Sequence, residues 1–378
     1  MLYFDNSATS YPKPSSVKQA VSKAITEYGA NPGRSGYKMA METGSKIYEA
    51  RENLATLFDT ESQNVAFTLN CTHALNIAIK GLLKKGNHVL ISDLEHNSVL
   101  RPIQKLCDDG IISYDVFTYY DDDERTLSDI KSKINDKTRL IICTHVSNVF
   151  GYILPIRKIG KLCREKGIYF LVDGAQSAGQ LDISIKDDYI DFLCVPGHKG
   201  LYGTCGTGAI ITKWGDMLDT LMEGGTGTIS LSKEMPEEMP ERHEAGTINT
   251  VGIISLKAGT DYVLEKGVKN IFNYEKYLAD YVYNSLKKEK DIIIYSFSPA
   301  SGKNVPIITF NIKGRNSDEV ASELSRIGIA VRGGFHCSYL AHKKMGTDDI
   351  GAVRISIGSF NTINQCEILV SEIKRLLL

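Results

Sequence analysis

Six short apolar runs recur between residues 65 and 212: VAFTL at 65–69, HVLIS at 88–92, RLIICT at 139–144, IYFLV at 168–172, DFLCV at 191–195 and GAIIT at 208–212. Each has the length and composition of a strand buried on both faces. Between several of them apolar residues return at the spacing of one helix face, as in Ala74, Leu75, Ala78, Ile79 and Leu82. Strand, helix, strand in that order predicts an α/β fold with a mostly parallel sheet covered on both sides. Such sheets bind ligands beyond the carboxyl ends of their strands, so chemistry is expected in the residues just past each run.

The texture changes after about residue 250. A long helical stretch over roughly 252–289 is followed by strands near 292–297 and 306–311, a helix near 317–327, a strand near 352–357 and a closing helix near 364–377. That order describes a smaller α+β unit. The expected division is a large unit over 13–250 and a smaller one made of 1–12 and 251–378. Between them Gly224 to Thr250 is rich in Gly, Thr, Pro and Glu and carries neither period, so it is expected to be a functional loop or a linker.

With 378 residues and 42% hydrophobic residues the chain can bury more than one core. Its 44 Lys and Arg nearly balance its 45 Asp and Glu, so no net field favours nucleic acid or an anionic membrane, and the partners expected are small molecules or proteins. The start MLYFDNSATS lacks a basic segment followed by an apolar one, and no apolar stretch approaches the roughly 20 residues that span a bilayer. A cytoplasmic protein is expected. The 8 cysteines form no CxxC pair and no zinc-like cluster. Cys143 and Cys194 sit inside apolar runs as small hydrophobes, whereas Cys337 lies in the Gly-rich, polar RGGFHCSYL.

Three segments end strands with reactive groups. In TLNCTHALN a helix is expected to begin near Thr72, which is either an N-cap or a donor beside the free amides that hold a phosphate. In IYFLVDGAQSAGQ, Asp173 directly follows a buried strand, either as a cap or as a carboxylate opposite a pyridinium nitrogen, the pairing that makes a pyridoxal ring an electron sink. In DFLCVPGHKGLYG, His198 and Lys199 stand in a turn between Gly197 and Gly200. A solvated lysine, with a pKa of about 10.4, is a poor nucleophile, whereas a desolvated one forms a Schiff base with an aldehyde. Asp173 and Lys199 each close a predicted parallel strand and would converge on one crevice.

These segments resemble the class V aminotransferase-like enzymes of fold type I, and more closely the cysteine desulfurase and selenocysteine lyase family. The similarity runs through YFDNSAT at 3–9, NPGRSGY at 31–37, LEHNSV at 94–99, VSNVFG at 146–151, VDGAQ at 172–176, GHK at 197–199, EAGTINT at 244–250, RGGFHC at 332–337 and VRISIGSFNT at 353–362. It implies a seven-stranded, mostly parallel sheet and pyridoxal 5′-phosphate as cofactor. Lys199 would hold the cofactor as an imine, Asp173 would pair with the pyridinium nitrogen, Gln176 would bond the ring hydroxyl and His96 would stack on the ring. Thr72 and His198 would contact the phosphate, His73 is placed with the cofactor-binding residues, and Thr247 would reach across from the other subunit of a homodimer. Asn148, Arg354 and Arg332 would hold the substrate, the planar fork of an arginine matching a carboxylate. Cys337 would be the nucleophile that takes sulfur from L-cysteine, leaving alanine and a persulfide for an acceptor protein or thiol; a thiolate, from a group of reference pKa about 8.5, is the reactive form. Lys199, Cys337 and His96 are thus the catalytic candidates.

Three departures from the family pattern stand out. Pro196 replaces a Ser that would help to bind phosphate, with Thr226 as a candidate substitute, Tyr37 follows NPGRSG where His is common, and Thr204-Cys205 stands where Pro-Gln often follows the lysine turn. The 16 residues 338–353 between Cys337 and Arg354 hold no long flexible insertion, which predicts a short, restrained Cys337 loop. Two other activities fit the same resemblance: selenocysteine lyase, where only the weaker carbon–selenium bond breaks, and class V transamination, for which Cys337 is dispensable.

Overall fold

The computed structural model describes residues 1–32 and 36–377. Gly33, Arg34 and Ser35 of NPGRSGY lie outside the described residues. The chain opens with β1 (Leu2–Tyr3), α1 (Ser15–Thr26) and α2 (Lys38–Phe58). It then alternates β2 (Val65–Thr68), α3 (Cys71–Leu82), β3 (Asn87–Ser92), α4 (Asn97–Asp108), β4 (Ile112–Phe117), α5 (Asp123–Lys133), β5 (Thr138–Thr144), α6 (Ile156–Lys166), β6 (Tyr169–Asp173), β7 (Phe192–Pro196) and β8 (Gly208–Ile211).

Those last seven strands form one sheet in the order β2-β8-β7-β6-β5-β3-β4. β3 to β7 run parallel, and β8 is antiparallel to both β2 and β7. All six apolar runs are strands. The seventh, β4, alternates buried and exposed residues because it is an edge strand paired only with β3. Large apolar clusters cover both faces, one including Phe67, Leu90, Phe170 and Val195, the other Leu75, Ile79, Ile142 and Phe192.

The rest comprises α7 (Thr250–Lys266), α8 (Val268–Leu286), β9 (Ile292–Ile294), β10 (Ile307–Ile312), α9 (Ser317–Arg326), β11 (Ile329–Ala330), α10 (Tyr339–Met345), β12 (Val353–Ser356) and α11 (Ile363–Arg375). The long helical stretch is two helices, because Gly267 takes φ +78° between α7 and α8, a conformation that breaks a helix. β12, β10 and β9 make an antiparallel sheet, and β1 pairs in parallel with β11, which ties the N-terminus to this smaller unit. Its core joins Phe4 to Leu278, Phe310, Val320 and Leu369. The expected boundary at 250/251 falls at the start of α7, whose Ile253 and Leu256 pack in the large unit's core.

Residues 224–250 carry no strand or α-helix before α7 begins, only a single 3-10 turn at Glu241–His243. The segment is pinned at its far end by the ion pair of Arg51 with Glu244 (2.5 Å), and Glu244 also accepts from the Phe67 amide at 2.6 Å.

Two glycines fix where the β7 turn lies. Gly179, at φ +78°, and Gly200 back onto each other so closely that a Cβ on Gly200 would stand 2.3 Å from the Ala178 carbonyl oxygen. The residue before Gly200 is Lys199, so this contact presses the lysine turn against the segment after Asp173. Gly200→Ala is therefore expected to lower unfolding free energy by about 2 kcal/mol or more, through the backbone shift that overpacking forces. Urea unfolding checks this, and an unchanged midpoint would contradict the contact.

Candidate active site

Asp173 is the last residue of β6 and is paired in register with Cys194 of β7, while Lys199 stands three residues after the end of β7. Adjacent parallel strands thus deliver a carboxylate and an amine to the same end of the sheet. They line one pocket of about 250 Å³ with Thr72, His96, Asn148, Gln176, His198, Arg332, Cys337 and Arg354. Residues expected from distant parts of the sequence meet here.

Asp173 is buried, and one of its oxygens accepts from the Ala175 amide at 2.9 Å and from the Cys71 thiol at 3.5 Å. Burial first, and then Asp173, push the Cys71 thiol well above its ordinary range, so it stays a neutral donor to that carboxylate. Lys199 shows the opposite shift. Burial lowers its pKa, Arg354 and Arg332 add to the lowering, and Asp173 and Cys71 oppose it. A lowered amine is more often neutral, which is the form that attacks a carbonyl.

The N-cap of α3 is Asn70 rather than Thr72: its side chain accepts from the His73 amide at 2.9 Å, and its carbonyl accepts from Ala74. Asn has the short polar side chain that reaches back to the third amide. Thr72 instead bonds Ser98 Oγ at 2.7 Å, and Ser98 in turn bonds His96 Nδ1 at 2.9 Å. His96 caps α4 by accepting the Ser98 amide at Nδ1, so its neutral ring carries the proton on Nε2. Burial lowers its pKa; Asp173 opposes the shift, and Lys199, Arg101 and Arg332 reinforce it.

His198 is anchored by its backbone. Its carbonyl accepts from Lys13 Nζ at 2.7 Å and from Thr9 Oγ1 at 3.0 Å. Its ring Nδ1 is buried without a partner among the described residues, and burial, with Lys199 and Lys13 nearby, pushes its pKa down to about 4. Gln176 donates to the Ser7 carbonyl at 3.0 Å, which leaves its side-chain oxygen unengaged by that bond.

Arg354 is a fully buried guanidinium. It donates to Asp5 Oδ1 and to the Asn148 carbonyl, each at 2.7 Å, and its Nε has no partner among the described residues. Its backbone exchanges both hydrogen bonds with Arg332, which sets the two arginines side by side. Cys337 is exposed at the pocket and lies in a constrained turn. His336 and Cys337 take φ +51° and +56°, left-handed values that cost non-glycine residues roughly 1–3 kcal/mol each. Tethers hold that strain: Asn97 donates to the Cys337 carbonyl at 2.8 Å, and Asn148 bonds the His336 carbonyl at 2.8 Å and the Ser338 hydroxyl at 2.6 Å. Asn148 is thus also an anchor of the cysteine loop. The loop is short, and α10 fills the first half of residues 338–353 that follow Cys337.

Two expected residues stand elsewhere in this chain. His73 and Thr247 line a separate small cavity with His243 and Asn249. Thr226 bonds Thr228 within the 224–250 segment, away from Pro196, which does line the pocket. Tyr37 is exposed, and Thr204 is turned to Ser255. Sequence reasoning gave no role to Asp5, Cys71, Ser98 or Glu95. The last is fully buried, directly precedes His96 in the chain, holds the Thr144 amide at 2.6 Å and is pushed up to about 8 by burial.

A sheet of this order with an amine and a carboxylate closing neighbouring strands is the architecture of a known enzyme family, and the chain belongs to it: residues 2–369 match the class-V aminotransferase family. Its relatives narrow the group. A probable cysteine desulfurase from Methanothermobacter thermautotrophicus is 32% identical over 97% of this chain and 92% of that protein, and one from Pyrococcus abyssi is 32% identical over 100% and 94%. The apo structure of a cysteine desulfurase from Thermococcus onnurineus NA1 superposes with a TM-score of 0.92 at 31% identity, covering 100% of this chain and 94% of that one.

Asp5→Asn keeps the size of the side chain that faces Arg354 but removes its charge, leaving a buried guanidinium without its counter-ion. The expected loss is about 3 kcal/mol in urea unfolding at neutral pH. An unfolding midpoint equal to that of the wild type would show that Asp5 is not what holds Arg354.

Proposed function

We propose that this chain is a pyridoxal 5′-phosphate-dependent L-cysteine desulfurase that takes sulfur onto Cys337. The observation that carries the reading is the exposed Cys337 thiol held by strained backbone at a pocket that also contains a buried amine of lowered pKa and a buried carboxylate.

The residues present fit the cofactor. Asp173 would hold a protonated ring nitrogen, Lys199 would receive the aldehyde, and Thr72 with the first-turn amides of α3 would hold the phosphate. The buried Nδ1 of His198 and Nε of Arg354, both without partners among the described residues, are polar atoms that a bound ligand would satisfy. Gln176 has an oxygen to spare for the ring hydroxyl. Pyridoxal 5′-phosphate, once bound, supplies an electron sink for the bonds broken at the substrate carbons.

The protein does the rest. Arg354, with Arg332 and Asn148 beside it, binds the substrate carboxylate and orients the substrate side chain towards Cys337. Lys199 in its neutral form accepts the α-proton, and His96, carrying its proton on Nε2, is placed to move protons within the site. Cys337 Sγ attacks the substrate sulfur, so that an S–S bond forms as the Cβ–S bond breaks. The electron pair left on carbon is finally taken by a proton. The sum is L-cysteine plus the Cys337 thiol giving L-alanine plus the Cys337 persulfide, with no external oxidant.

We further propose a homodimer in which Thr247 completes the other subunit's phosphate site, which accounts for its distance from the pocket of its own chain. A protein or small thiol then takes the sulfur from Cys337 at the exposed mouth. All eight cysteines are free thiols, which suits a cytoplasmic enzyme.

Purified protein is expected to be yellow, and Lys199→Ala to lose the visible absorbance while remaining folded. Cys337→Ser is expected to keep the absorbance yet lower alanine production from cysteine by at least about 100-fold, because the nucleophile acts as a unit with its site. Undiminished alanine production would turn the reading towards class V chemistry that needs no thiol, and turnover of selenocysteine alone would turn it towards a lyase. Sedimentation of the active protein as a monomer would contradict the shared site.

A further inference from the structure

Behind the Cys337 loop, α10 carries a second buried histidine whose ring meets that of His336. The nitrogens His336 Nδ1 and His342 Nε2 are 3.3 Å apart, the ring planes differ by 8° and the centroids lie 5.6 Å apart. That separation is the N···N distance plus two ring radii, so the rings lie end to end in one plane, as an N–H···N hydrogen bond requires, and are not face-stacked. On its far side His342 Nδ1 is 2.8 Å from Thr347 Oγ1, and on its own far side His336 Nε2 is 3.3 Å from the Arg332 carbonyl oxygen. Four groups form one chain.

The direction of that chain follows from its end. A carbonyl oxygen only accepts, so His336 Nε2 carries a proton. Burial, with Arg354 and His342 adding to it, holds the His336 pKa well below its ordinary value, so the ring is neutral and Nδ1 is bare. The proton between the rings therefore belongs to His342 Nε2. His342 is likewise buried and lowered, so its Nδ1 is bare and accepts the Thr347 hydroxyl. Phe150 and Phe335 pack on the His342 ring, with centroids 5.8 and 5.6 Å away, and the Thr347 backbone, Asp348 and the Phe335 backbone partly oppose the lowering that burial causes.

We propose that His342 is a positioning residue for the sulfur-accepting cysteine: by donating its Nε2 proton to His336 it fixes His336 as the Nε2–H tautomer, which closes the turn from the Arg332 carbonyl to His336 and aims Cys337. The turn so closed leads directly into the two left-handed residues at 336 and 337. It also joins Arg332, which is laddered to Arg354, to the cysteine, so the groups expected to grip the substrate and the group expected to attack it move as one piece. The part played by Cys337 rests on the desulfurase reading, whereas the tautomer and the chain of bonds do not.

Two substitutions separate the donor from mere packing. The amide nitrogen of His342→Gln reaches as far as Nε2 and can still donate to His336; His342→Asn reaches only as far as Nδ1 and cannot. The first measurement is a long-range proton–nitrogen NMR spectrum of holoprotein labelled at histidine, with His336 assigned from a His336→Gln sample. Wild type at neutral pH is expected to show His336 protonated on Nε2 and bare on Nδ1. A proton on Nδ1 overturns the proposal without needing any variant to fold. The second is the rate at which iodoacetamide alkylates Cys337, followed by peptide mass. His342→Asn is expected to change it roughly 2- to 10-fold, the shift that follows the loss of one neutral hydrogen bond, while His342→Gln stays near wild type. Equal rates in all three proteins, or equal changes in Gln and Asn, would show that the ring only fills space. Neither measurement depends on turnover, so a failure of the desulfurase reading in alanine assays would leave these outcomes standing on their own.

Discussion

A fully buried guanidinium needs a counter-charge and acceptors, and Arg354 is tied to three parts of the chain, two through its side chain and one through its backbone. Asp5 comes from the N-terminal segment, the Asn148 carbonyl from the large unit, and the backbone of Arg332 from the segment that leads into the cysteine loop. An unpaired charge at that depth would be too costly to keep. The N-terminus, β12 and the loop after β5 therefore cannot move independently. The guanidinium Nε is buried without a partner among the described residues, so the same group is a structural tie and a candidate ligand for an anion.

The pocket is graded in charge and depth. Its floor holds Asp173 with neutral donors, Lys199 is held towards neutrality by burial and two arginines, and the histidines around it are all lowered. Such a site lowers the proton affinity of its bases while presenting fixed positive charge at one end. Amino acids fit that arrangement, since the carboxylate finds the arginines and the amine finds the end of lowered proton affinity. Cys337 is exposed at the pocket, as a group must be if it passes on the sulfur it collects.

Much of this was legible in the sequence wherever apolar pattern and strand ends carried the signal. The six apolar runs are strands because burial on both faces leaves no room for polar alternation. Asp173 and Lys199 were legible because each stands at or just past the carboxyl end of a buried parallel strand, where such sheets bind their ligands. β4 escaped because ISYDVF, at the sheet edge, alternates as a half-exposed strand does and holds no continuous apolar run. α10 was hidden inside a segment read only as a short connection, and the break at Gly267 required a backbone angle that no periodicity reports. The N-cap fell on Asn70 because capping is decided by a side-chain oxygen within reach of the third amide, and Thr72 is drawn into the Ser98 and His96 contacts instead. Asp5, Glu95 and His342 were illegible for a common reason: each is a polar residue whose meaning lies in a tertiary partner, and single-sequence pattern contains no partner.

The proposed function turns on substrate sulfur passing to Cys337 and to no other cysteine. Protein mixed with cysteine carrying isotopically labelled sulfur, quenched with an alkylating agent and digested without reductant, tests it directly. The expected result is label found as one extra sulfur on the peptide that contains Cys337, with alanine formed in equal amount. Label on a peptide containing Cys205, the other exposed cysteine, or alanine formed with no labelled peptide, would contradict it.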